Sequence, residues 1–279
     1  MQSSAKPSLR GGGDTASVRK TLLAMAACAV FVALILPAAP TGGRKAIRPF
    51  LVYYGGVPQP ADMAAARSLA RRMRGYPLVV LGLAAHAPAF AAMVRRLMPG
   101  TLLYGYADTG HVTLRHVAGR LALFQRLGFQ GVLLDDIGTG LSAQPGVLRR
   151  VVLMAHRRHL RVLLNAWNPV DLLTLPLQAE SDGVLCENWV YSDGHWAVPR
   201  DAGAYRALRE LQARRLLVFM IVTLAHVPSP ARPPAKGVGA TARAVFGDYL
   251  SLSDALYSAD SRAIFPATEL RRLLRRLSF

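Results

Sequence analysis

The sequence is poor in cysteine and poor in acids. Cys28 and Cys186 are the only cysteines in 279 residues. One lies inside an apolar N-terminal segment and the other on a strand-like run, so they are not expected to pair. They make neither a disulfide framework nor a zinc site. No glycine-rich phosphate loop follows the first strand-like run, which argues against a dinucleotide fold. Acids number 16 against 34 lysines and arginines, a formal charge of +18. A nucleic-acid binder is expected to interleave basic residues with aromatics on one face or within a module, and no such pattern occurs. The arginines sit instead on helical stretches, as Arg67, Arg71, Arg72 and Arg74, or Arg271, Arg272, Arg275 and Arg276. The expectation is a solvated or membrane-proximal basic shell, attracted to anionic headgroups, with no nucleic-acid partner.

Hydrophobic residues make up 52% of the chain, enough for a sizeable core. Residues 1–20 are polar and glycine-rich and read as a disordered cytoplasmic tail. Residues 21–39, TLLAMAACAVFVALILPAA, carry no charge. That length suits either a membrane-spanning signal anchor or a signal peptide. Arg19 and Lys20 before it favour a cytoplasmic N-terminus, and Pro37 and Pro40 disturb any cleavage site, so a retained anchor is preferred. Either way, after a linker over 40–48, the domain over 49–279 is expected outside the cytoplasm, in the periplasm or extracytoplasmic space.

From residue 50 onward strand-like and helix-like stretches alternate. Strands are expected at Phe50–Tyr54, Leu78–Leu83, Thr101–Tyr106, Gly131–Leu134, Arg161–Asn165, Gly183–Glu187 and Leu216–Thr223. An eighth falls at Ala255–Ser258 or Ala263–Phe265. Helices are expected at Ala61–Met73, Ala87–Leu97, Leu114–Leu127 (closed by Gly128), Pro145–His159, Asp171–Gln178, Ala204–Arg215, Ala240–Ser251 and Glu269–Leu277. The proline-rich run Pro228–Pro234 reads as a loop. Such alternation implies a parallel sheet, and its length fits a (β/α)8 TIM barrel.

In a chain with so few acids, those that end apolar runs stand out. Asp135 follows Gly131–Leu134, and Glu187 ends Gly183–Val–Leu–Cys. The carboxyl ends of barrel strands carry the reacting groups, so these two are the candidate catalytic pair. Strand ends also offer Tyr53, Tyr54, Tyr104, Tyr106, Asp108, Asp136, Asn165, Trp167, Asn168, Asn188, Trp189, Tyr191 and Tyr257. Acids can work on a glycosidic bond, amides can bind hydroxyls, and rings can cover apolar sugar faces. Hydrolysis of such a bond uses one neutral and one ionised carboxyl, whose pKa values burial and hydrogen bonding can separate. Asp136 could instead cap a helix. His156 and His159 have the spacing of a metal pair but read as a solvated helix face.

Three blocks carry a resemblance. Gly128–Phe–Gln–Gly–Val–Leu–Leu–Asp135–Asp136, Val162–Leu–Leu–Asn165 and Ser181–Asp–Gly–Val–Leu–Cys–Glu187 resemble stretches of the glycoside hydrolase family 114 barrels (endo-α-1,4-polygalactosaminidase type) and spherulin-4-like proteins. Tyr104–Gly105–Tyr106 is similar to a Gly-Tyr pair in such proteins. The resemblance covers about residues 50–260 and implies metal-free, cofactor-free hydrolysis of an extracellular or cell-envelope polysaccharide. In a retaining scheme Asp135 would be the nucleophile and Glu187 the acid/base. Without residues 1–43 the chain still carries about +15, which would repel a cationic polygalactosamine, so a neutral, N-acetylated or acidic polymer is expected. Two alternatives stand beside this reading: a non-catalytic carbohydrate-binding or envelope-assembly barrel, and a Mg²⁺-dependent barrel hydrolase with Asp135, Asp136 and Glu187 as oxygen ligands.

Overall fold

The computed structural model describes residues 47–54, 62–82, 88–144, 146–187, 191–192, 195–196, 202–223, 248–253, 264, 267–268 and 270–272. All belong to one compact unit, Lys45–Phe279. The anchor segment 21–39, the loop 228–234 and Ala255–Ser258 lie outside the described residues, as does most of the expected helix at 269–277; of Ala263–Phe265 only Ile264 is described, and it is in no strand. Among the described residues no helix is long and apolar enough to cross a membrane.

The strands form one sheet of nine segments in which every pairing is parallel. The two end segments, Arg48–Pro49 and Leu51–Tyr53, flank the single residue Phe50 and are two parts of one strand, β1. The first part pairs with β8 (Tyr249–Ser253) and the second with β2 (Leu78–Leu81), so the sheet returns on itself. Between them run β3 (Leu102–Asp108), β4 (Gly131–Ile137), β5 (Arg161–Ala166), β6 (Gly183–Glu187) and β7 (Leu217–Thr223). The connecting helices are α1 (Met63–Met73), α2 (Pro88–Leu97), α3 (Leu114–Arg126), α4 (Val147–His156) and α5 (Ala202–Ala213). A two-stranded ribbon, Tyr191–Ser192 with His195–Trp196, follows β6.

Helix formation follows the expected chemistry. Asp62 caps α1 by accepting from the Ala65 amide, and Ala66, Leu69, Ala70 and Met73 form its buried stripe. The arginines between them are exposed, as the basic-shell reading requires. Thr113 caps α3 in the same way, and Val117, Leu121 and Phe124 face the core. Gly128 ends α3 at φ +68°, a conformation cheap only for glycine. The Phe129 amide then donates to the Phe124 carbonyl, satisfying the last turn.

Alternation along the strands divides the core in two. One set of side chains packs between sheet and helices. The other fills the barrel: Phe50, Leu78, Val80, Tyr104, Tyr106, Leu133, Leu163, Leu185, Phe219, Ile221 and Tyr249. Its N-terminal end is plugged by aromatics. Phe219 stacks on Tyr249 at 4.4 Å, Phe50 meets Phe219 edge-on at 5.2 Å, and Arg48 lies 4.2 Å over Tyr249. A Cβ at Gly131 would lie 2.5 Å from the Tyr104 ring and one at Gly183 2.6 Å from Phe219, so both glycines make room for this plug.

Three expectations need correction. The eighth strand is Tyr249–Ser253, which overlaps the end of the stretch expected to be helical over Ala240–Ser251. Its partners β1 and β7 lie far away in sequence, and their pairing overrides local propensity. The expected helix at Asp171–Gln178 is a 3₁₀ turn at Pro169–Leu172, started by Asn168, whose side chain accepts from the Val170 amide. His156 is not on a solvated face: its Nε2 lies 2.9 Å from the carboxylate of fully buried Asp182.

Candidate active site

The strands β3, β4, β5 and β6 lie side by side in chain order. Leu133, Leu163 and Leu185 point into the barrel. The period of two then points Asp135, Asn165 and Glu187 inward as well, one step nearer the carboxyl ends of their strands. Tyr106 on β3 joins them. Groups far apart in sequence thus meet at the barrel mouth.

Asn165 is the centre of this group. Its Nδ2 donates to Asp135 Oδ1 at 2.7 Å and to Glu187 Oε2 at 3.0 Å. With carboxylates on both sides, only the amide nitrogen, with two hydrogens, can fill this place. The two carboxylate oxygens can lie no farther apart than those two bonds laid end to end. Asp135 Oδ2 accepts from the Tyr106 hydroxyl at 2.7 Å, so both its oxygens serve as acceptors. Burial, and then the charge of Asp135, push the Tyr106 phenol far above its ordinary pKa, which keeps it a donor. Tyr54 stacks edge-on against Tyr106 at 5.3 Å. The backbone of Asp135 is held too, because the buried Thr109 hydroxyl donates to its carbonyl at 2.6 Å.

Asp135 is only 7% exposed. Burial raises the Glu187 pKa above the usual carboxylate range. The Asn165 hydrogen bond offsets part of this, and the charges of Asp135 and Asp136 add to it. Among the described residues, no Lys or Arg pairs with either acid, although the chain has 34 of them.

Asp136 departs from the pair. The strand register shifts between Leu134 and Ile137, and Asp136 adopts φ +56°. Its carboxylate meets His111, whose Nδ1 lies 3.6 Å from both Asp136 Oδ2 and Asp108 Oδ2. Asp108 Oδ1 also accepts from the Gly110 and His111 amides. Burial raises the Asp136 pKa, the charges of Asp135 and Asp108 add to this, and His111 opposes it. Asp136 is not a helix cap, since α4 starts only at Val147 and Gly146 occupies its capping position. Among the described residues, Asp108, His111 and Asp136 are the group whose ligand-type atoms converge well enough for a metal ion.

The remaining candidates divide. Trp167 is 75% exposed just past β5, free to act as a platform. Tyr53 belongs to the core between sheet and helices rather than to the mouth. It is one residue out of phase with Tyr54, which packs against the barrel interior. Tyr104 faces inward but at the plugged end. Asn188, Trp189 and Tyr257 lie outside the described residues, and so does the Tyr191 side chain. Sequence reasoning missed His111 and Thr109. Their one signal was position, directly after the acid that ends β3.

No family model matches the chain, and no curated protein matches it in sequence. Among solved structures it is similar to an L-ribulose 3-epimerase, at 12% identity over 83% of this chain and 95% of that one, with a TM-score of 0.52. It is also similar to a D-psicose 3-epimerase solved in the presence of D-fructose (10% identity, 82% and 98% covered, TM-score 0.49). A third is a mandelate racemase/muconate lactonizing enzyme-type protein from Sorangium cellulosum, at 18% identity and a TM-score of 0.47. The likeness there covers 78% of this chain but only 57% of that protein's length. At such identities the likeness shows the fold alone, and the first of the three carries it. The chain is an α/β protein with a TIM-barrel-like parallel sheet.

Proposed function

We propose that the barrel is a glycoside hydrolase in which Asp135 and Glu187 act on the scissile bond of a poly- or oligosaccharide. The observation that carries this reading is the single Asn165 amide bridging the two carboxyls at the barrel mouth. Asp135, accepting from two donors, is suited to attack the anomeric carbon. Glu187, its proton held by burial and neighbouring charge, is suited to protonate the leaving oxygen. The glycosyl ester on Asp135 would then yield to water deprotonated by Glu187, returning both groups to their starting states. The close bridging favours this retaining course over one that needs a water between the carboxyls. The resemblance to family 114 barrels rests on the same strand ends, and residues 21–39 would hold the enzyme outside the cytoplasm.

A second reading, a divalent-metal-dependent barrel enzyme, is favoured by the Asp108–His111–Asp136 cluster beside Asp135. This is not the ligand set expected from the sequence, because Asp136 turns away from Asp135 and Glu187. None of the solved structures named above is described as a glycoside hydrolase, and the shared fold favours no reaction. Two oxygens and a ring nitrogen suit Mn²⁺ or Zn²⁺ as well as Mg²⁺.

The two readings separate in one experiment. The full-length chain is incubated with neutral, N-acetylated and acidic envelope polysaccharides, and released reducing ends are assayed. The first reading expects activity that survives chelator and is lost in Asp135→Asn and Glu187→Gln. Activity lost in chelator, restored by added Mn²⁺ or Mg²⁺ and abolished by His111→Ala would establish the second.

A further inference from the structure

Beside the mouth, on the side of β4 and β5, lies a groove of about 670 Å³ that does not include Asp135 or Glu187. Gly138, the residue that follows β4, is part of its lining, so the groove adjoins the strand that carries Asp135. Its walls come from the first turn of α4, with Arg149, and from the 3₁₀ turn, with Val170 and Asp171. Among the described residues neither Arg149 nor Asp171 has an ion-pair partner. The groove thus offers one cation and one anion, both with unused hydrogen-bonding capacity.

Apolar exposure collects on the segment that forms one wall of the groove. The large hydrophobic side chains most exposed among the described residues are Met63, Trp167 and Val170. The latter two belong to the segment after β5. The Trp167 amide donates to the Ile137 carbonyl at 3.3 Å, which ties the tryptophan to the end of β4, which the groove adjoins. An exposed ring three residues before the groove's Val170, with two unpaired opposite charges inside the groove, does little for stability. It matches what a sugar needs: a flat apolar surface for one face and charged groups for its hydroxyls.

We propose that this groove is a second sugar subsite, which holds the neighbouring unit of a chain whose scissile bond lies at Asp135 and Glu187. The inference rests on the reading that the barrel acts on a carbohydrate. It adds where the neighbouring unit of that chain sits, and that the unit in the groove is uncharged, because Arg149 and Asp171 balance.

The test is calorimetric titration of the full-length Glu187→Gln protein, in which turnover is blocked. The probes are N-acetylhexosamine and hexose oligomers of one and six units, with an oligogalacturonate hexamer as acidic control. A neutral hexamer is expected to bind about tenfold tighter than its monomer, the gain of roughly one good aromatic or charged contact. Trp167→Ala and Arg149→Ala should each remove most of that gain while changing monomer affinity by less than about twofold. A hexamer advantage that survives both substitutions overturns the subsite, and so does preference for the oligogalacturonate, while the carbohydrate reading stands. Absence of binding by every probe overturns both.

Discussion

The two ends of the barrel treat buried acids in opposite ways. At the N-terminal end, Asp182 is fully buried and saturated: it accepts from the Val162 amide, the Gln178 amide and His156. Around it the barrel is closed by stacked rings. At the carboxyl end, Asp135 and Glu187 share one amide, take a phenol, and have no cation against them among the described residues. A buried carboxylate kept for stability is normally given every partner it can hold. Among the described residues, the mouth withholds those partners from two acids in a chain rich in arginine. Capacity left over for a ligand is the physical difference between a structural acid and a working one.

The sharpest way to break this comparison is to neutralise one acid at a time. Asp135→Asn or Glu187→Gln should lower reducing-end release about 10³-fold or more while leaving far-UV circular dichroism unchanged. The Asp182 end should respond inversely. Asp182→Ala strands two backbone amides and a histidine, and should cost about 3 kcal/mol in urea unfolding. Residual activity per folded molecule should be untouched. If Asp182→Ala instead shifted the pH profile, the division between the two ends would be lost. Between these effects stands Asn165→Ala, which frees both carboxyls. It should lower kcat about 10²-fold with little change in KM, since the bridge positions reacting groups rather than binding sugar.

The sequence disclosed the mouth better than the barrel's closure. Asp135, Asn165 and Glu187 were legible because each ends an apolar run whose buried strand leaves no other exit for a polar side chain. The phase of a strand was less legible. Tyr53 and Tyr54 are adjacent, both fit a strand end, and only pairing with β2 decides which one faces inward. The closing strand was hidden for a related reason. Tyr249–Ser253 carries two serines and no long apolar run, and its stability comes from β1 and β7 rather than from its own residues. His156 shows the same limit: its helical spacing placed it on a surface, and only the fold brings Asp182 to it.

The smallest effect bears on how far the mouth's acids act as one group. Asp136 turns away to His111, yet its charge still helps raise the Glu187 pKa. Glu187 must be protonated to act as the acid, so activity is lost as pH rises through that raised pKa. Asp136→Asn removes a negative charge that opposes loss of the Glu187 proton, and the proton then leaves at lower pH. The alkaline limb of kcat against pH should therefore move toward acid, by about half a pH unit or less, because the charge is partly exposed and screened. A shift toward alkali, or loss of all activity, would assign Asp136 to the chemistry itself and favour the Asp108–His111–Asp136 cluster as the working centre.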